Sequence, residues 1–109
     1  MKIAVASEDN TVAQHFGHCK NYNLYTVENK KIENKEVVEN PGHKTGFLPK
    51  FLAEKDIDVI ISGGMGSKAV DIFNKYNIKV VIGAQGDSKK AVEMFLEDKL
   101  ESVKAPCEH

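Results

Sequence analysis

The chain has 109 residues, 41% of them apolar and 28% charged, with a net charge of −1. That length holds one packed domain and not two, and so balanced a charge gives no footprint for nucleic acid or an anionic membrane. The apolar run in MKIAVASEDN is too short for a signal peptide, and no stretch approaches a membrane span. The expectation is a cytoplasmic single domain over 1–109, with 101–109 reading as a tail and Cys19 and Cys107 as thiols.

In chain order, Lys2–Ser7 is apolar through its middle and predicts a central strand covered on both faces. YNLYTVE (22–28) and KIENKEVVE (31–39) predict an antiparallel hairpin turning at Asn29-Lys30. The segment NPGHKTG, residues 40–46, breaks the chain. Beyond it the texture becomes helix and buried strand in alternation. Phe47-Leu48 and Phe51-Leu52 mark a helix over 47–55 with Pro49 in its first turn. IDVII (57–61) is a strand, Ala69, Val70, Phe73 and Tyr76 stripe a second helix, and IKVVI (78–82) is the next strand. Asp87 or Ser88 caps a third helix striped by Ala91, Val92, Phe95 and Leu96. Such alternation means parallel strands with right-handed crossovers.

If the first strand runs upward, four junctions fall at one upper edge: 8–21, 40–46, 62–66 and 83–87. Carboxyl ends of parallel strands are where open α/β sheets bind ligands. All 8 glycines fall in these junctions, along with His15, His18, Cys19 and His43. Imidazole and thiolate within AQHFGHCK (13–20) suit iron, copper or zinc, in an open and exchangeable site rather than a closed cage. The competing reading is a polar loop facing water. Phe16 is expected to anchor this loop in the core, and Gly17 to supply a backbone angle that other residues disfavour. Cys107 lies in the tail, which starts at the lower edge; extended at about 3.3 Å per residue it just reaches the upper one.

Gly64-Met65-Gly66-Ser67-Lys68-Ala69 fits G-x-G-x-x-A between a strand and a helix, an arrangement that offers backbone N–H groups to an anion. Ala84 stands where a ribose-binding acid belongs, so neither nicotinamide nor flavin is expected. Tight strand-to-helix packing explains the same glycines equally well. There is no nucleophile elbow, P-loop lysine or HExxH, and Asp58 starts its strand at the edge opposite Glu8 and Asp9. The carboxylates are not gathered as a two-metal nuclease requires.

Several runs, in this order, resemble the dinitrogenase iron–molybdenum cofactor biosynthesis family, the domain type of NifX and the NifB C-terminus. They are MKIAVAS, HFGHC, NPGHKTG, IDVIISGGMG and IKVVIGAQGD. The resemblance implies a ribonuclease H-like fold, a mixed five-stranded sheet flanked by helices, with no catalytic activity. It implies binding and delivery of an iron–sulfur or iron–molybdenum–sulfur cluster precursor in metallocofactor assembly, alongside cofactor-assembly proteins, as in nitrogen fixation. Matched by position, it implies His15, Cys19 and His43 as ligands and Gly63, Gly64 and Gly66 as a cradle. His18, Gly17 and Gly86 are further candidates from their place at the same edge, and Cys107 is one if the extended tail reaches it. The alternatives are an anion- or nucleotide-sensing domain using the Gly63–Gly66 turn, and a redox-responsive module using Cys19 and Cys107.

Overall fold

A computed structural model describes residues 1–42 and 47–97. The candidates His43 and Cys107 lie outside the described residues. Alternation along the first strand sets the architecture. In β1 (Lys2–Glu8) Ile3 and Val5 face one way and Ala4 and Ala6 the other, and all four are buried. Ile3 and Val5 join Tyr25, Val27, Ile61, Val81, Ala91 and Val92 in one core cluster. Ala4 and Ala6 join Leu24, Leu48, Leu52, Ile60 and Phe73 in the other. The sheet therefore lies between α1 (Phe47–Ala53) with α2 (Ser67–Lys75) on one side and α3 (Ser88–Leu96) on the other.

β1 is antiparallel to β3 (Asn21–Glu28), which is antiparallel to β4 (Lys31–Glu39). On its other side β1 runs parallel to β5 (Val59–Ser62), and β5 parallel to β6 (Lys79–Ile82). The order is β4-β3-β1-β5-β6. Asn29 and Lys30 both take positive φ, 52° and 64°, the backbone twist a two-residue hairpin loop requires. These directions put the carboxyl ends of β1, β4, β5 and β6 at one edge, together with the start of β3.

The sheet is mixed but six-stranded, not five. Thr11–Val12 forms β2, which pairs antiparallel with the end of β1 through Ser7 and Glu8. Two residues give no visible period in sequence, so the segment reads as loop. The first helix ends at Ala53 rather than residue 55, and Pro49 does sit in its first turn. Tyr76, expected on the apolar stripe, instead ends α2 and is 47% exposed, because the chain there turns into the positive-φ residue Asn77. Asp87 caps α3, its Oδ2 accepting from the Lys90 N–H at 3.0 Å. No helix among the described residues is long and apolar enough to cross a membrane.

Candidate functional site

Residues 9–20 run along the upper edge and are fixed at nearly every step. Asp9 turns the chain at φ 60°. Its N–H donates to Asn21 Oδ1, and its carbonyl accepts from Nδ2 of both Asn21 and Asn23. Buried Asn23 also donates to Ser7 Oγ, which is 2.8 Å from Ser88 Oγ at the start of α3. Buried amides and hydroxyls need such partners, and here they supply them to one another. The Val12 N–H donates to Gly86 O, and the Ser88 N–H to Asn10 O. The loop is thereby tied to the turn after β6.

Next it is tied to the turn after β5. Gly63 N–H donates to Ala13 O at 2.8 Å, and Phe16 N–H to Gly64 O at 3.0 Å. A Cβ on Gly63 would lie 2.7 Å from Ala13 O and 2.9 Å from Gln14 Cα, so only glycine lets the loop approach this closely. Ser62 Oγ also donates to Gly64 O. Gly63 N–H and Gly64 O thus hold the loop, a packing use of these two glycines. Gly66 is exposed and stands at the N-cap of α2.

Held in this way, residues 16–18 make one 3-10 turn, closed by His18 N–H donating to His15 O at 3.3 Å. A 3-10 helix has three residues per turn, so side chains at i and i+3 eclipse. The burial follows that period. His15 and His18 are exposed, while Phe16 and Cys19 are 4% exposed. Phe16 meets the rings of Tyr22 and Phe73 at centroid distances of 5.5 and 5.4 Å, the second edge-on, and its carbonyl accepts from Tyr22 Oη. Its predicted anchoring role holds. Gly17 does not play its expected part. Among the described glycines positive φ occurs at Gly42, Gly83 and Gly86, and Gly17 sits in the 3-10 turn with ordinary backbone.

Cys19 faces the core beside Tyr22. Burial pushes its thiol above the ordinary value of 9.0, with the Tyr22 hydroxyl as the largest opposing influence. Burial likewise pushes the Tyr22 phenol far above 10.0. At neutral pH Cys19 is a protonated core thiol rather than a thiolate at the surface. The edge therefore shows two imidazoles outward and keeps its sulfur inward. Among the described residues no three His, Cys, Asp or Glu side chains gather as a metal-ion site. Two grooves elsewhere, one lined by Lys30, Lys31, Lys89 and Glu93 and one by Asp56, Asp58 and Tyr76, contain no soft donor.

Asn40, which sequence reading treats only as part of a chain break, lies at this edge. Its Nδ2 donates to Cys19 O at 2.8 Å and Gly17 O at 3.3 Å, and its N–H to Lys20 O at 3.1 Å. Its Oδ1 accepts from Gly42 N–H at 2.9 Å. The chain leading toward position 43 thus leaves β4 directly beside the 17–20 backbone. Lys20 and Asp9 add an exposed ion pair at 2.8 Å, of the kind that salt screens.

An α/β protein with a histidine-bearing turn buttressed at the carboxyl edge of its strands is the class these features define. The dinitrogenase iron–molybdenum cofactor family model matches residues 1–98, and the chain belongs to that family. The uncharacterized protein MJ0580 of Methanocaldococcus jannaschii is 32% identical over 106 residues, 93% of this chain and 90% of that one. The crystal structure of PH0822 superposes with a TM-score of 0.87 at 30% identity, covering 95% of this chain and 96% of the other. The apo form of the orange protein from Desulfovibrio gigas shares the fold, with a TM-score of 0.84 at 23% identity over 98% and 96% of the two chains.

Proposed function

We propose that the protein is a non-catalytic carrier that captures an iron–sulfur or iron–molybdenum–sulfur cluster precursor at its upper edge and passes it on during cofactor assembly. The observation that carries this reading is the outward His15–His18 pair on a turn braced against Gly63 and Gly64. Imidazole is a good ligand for iron, and two donors leave the cargo's own sulfides or other ligands to complete its coordination. Few protein bonds must then break on transfer. His43 is a further ligand in this reading, and Cys107 a candidate. Cys19 joins only when the turn opens.

Membership of the iron–molybdenum cofactor family supports a place in that assembly, with other assembly proteins as donors and acceptors and the cytoplasm as compartment. It also favours the ribonuclease H-like arrangement, with which the strand order, two antiparallel pairs followed by two parallel ones, agrees. Among the described residues no three His, Cys, Asp or Glu side chains gather, whereas a two-metal nuclease needs its carboxylates at one point.

Anaerobic titration of the protein, expressed without a histidine tag, with ferrous iron and sulfide, with and without molybdate, tests the proposal. Charge-transfer absorption saturating at a fixed ratio is expected, with most of it lost in His15→Ala and His18→Ala. Spectra unchanged in both variants would remove the pair from the site.

A further inference from the structure

Asn40 spends its whole carboxamide on backbone. The two carbonyls its Nδ2 reaches, Gly17 O and Cys19 O, belong to the residues on either side of His18. Its own N–H holds Lys20 O, so the peptide units bracketing both His18 and Cys19 are fixed to the end of β4. We infer that Asn40 is a positioning residue that decides which donors the 15–19 turn presents, holding His18 outward and Cys19 inward. The inference rests on reading that turn as the capture site.

The chemistry requires asparagine. Two carbonyls demand an N–H donor while Gly42 N–H demands an acceptor, and one carboxamide supplies both. Aspartate keeps the acceptor but sets a carboxylate oxygen against two carbonyl oxygens. Alanine removes both. In either variant the turn loses its side-chain tether at Gly17 O and Cys19 O, while the backbone N–H of residue 40 keeps Lys20 O. The bonds that remain, His18 N–H to His15 O, Phe16 N–H to Gly64 O and the residue-40 N–H to Lys20 O, flank Cys19 but leave the carbonyls of Gly17 and Cys19 without their donor. The thiol then samples the surface and the donor set changes from two nitrogens toward nitrogen plus sulfur.

Cys19 and Cys107 are the 2 cysteines, so Cys107→Ser leaves a single reporter thiol. In that background Asn40→Asp and Asn40→Ala are compared with Val92→Ala, a truncation of a fully buried side chain in the opposite core layer. Val92→Ala serves as the control for general loss of stability. Two readouts are taken on the full chain: the rate at which an aromatic disulfide reagent labels Cys19, and the absorption spectrum on adding Co²⁺. Both Asn40 variants should label about tenfold faster than the control after correction for urea-measured stability, since labelling follows the open population. They should also gain a thiolate-to-cobalt band that the parent lacks. Labelling no faster than that of the stability-corrected control overturns the inference. A parent that binds no cobalt overturns the capture reading, and the labelling rates then decide the role of Asn40 alone.

Discussion

Gly63→Ala isolates the contact on which the site's position depends. The added methyl would lie 2.7 Å from Ala13 O and 2.9 Å from Gln14 Cα, both backbone atoms with no rotamer to change. Either the loop or the turn must retreat by several tenths of an ångström. Overpacking of this kind costs about 1–3 kcal/mol. Retreat also stretches the bonds Gly63 N–H to Ala13 O and Phe16 N–H to Gly64 O, each worth about 0.5–1.5 kcal/mol. The expected loss is therefore about 2–6 kcal/mol, a shift of about 1 M or more in urea midpoint for a domain this size. Gly66→Ala is the internal control, three residues on in the same turn. Nothing lies within 4 Å of its added Cβ, and its φ of −68° suits alanine. It should cost under about 1 kcal/mol, the N-cap preference of glycine over alanine. Equal losses in the two variants would refute the claim that the Gly63 turn braces the loop.

Phe16→Ala should destabilise by about 3–5 kcal/mol in urea melts, because Phe16 fills the space between Tyr22 and Phe73. A loss below about 1 kcal/mol would mean the loop is not anchored there. Alkaline pH should weaken the fold. Burial raises Cys19 and Tyr22 above their ordinary values of 9.0 and 10.0. The unfolded chain loses these protons first, so their contribution is intact below about pH 9 and declines as pH rises further. Cys19→Ala should flatten the fall in urea midpoint between pH 9 and 10, and an unchanged slope would contradict the buried thiol. Asn23→Ala, which strips partners from Asp9 O and Ser7 Oγ, should cost about 1–3 kcal/mol by the same measure.

Much of this fold is written in apolar periodicity. The run through β1, the Asn29-Lys30 turn, and the alternation of helix and strand from residue 47 set the strand directions, and the directions alone place the junctions at one edge. β2 escapes because two residues carry no period and owe their pairing to Ala13 N–H reaching back to Ala6 O. The donor loop is harder to read. Taken as open coil, HFGHC offers three ligands, whereas a 3-10 turn sorts it with period three into outward His15 and His18 and inward Phe16 and Cys19. That sorting has a signal in sequence, since an aromatic residue and a thiol stand three apart, as do the two imidazoles. Gly17 misleads because glycine also serves where no positive φ is needed. Asn40 hides within a chain break, because hydrogen bonds to distant carbonyls leave no pattern along the chain.

The central claim, capture at the edge that carries the two outward imidazoles, meets its most direct test in amide NMR of the ¹⁵N-labelled protein during anaerobic addition of the assembled cluster precursor. Perturbed or broadened signals confined to residues 13–20, 40–46 and 63–66 are predicted. Signals that move instead around Lys31, Lys89 and Glu93, or around Asp56 and Tyr76, would contradict it.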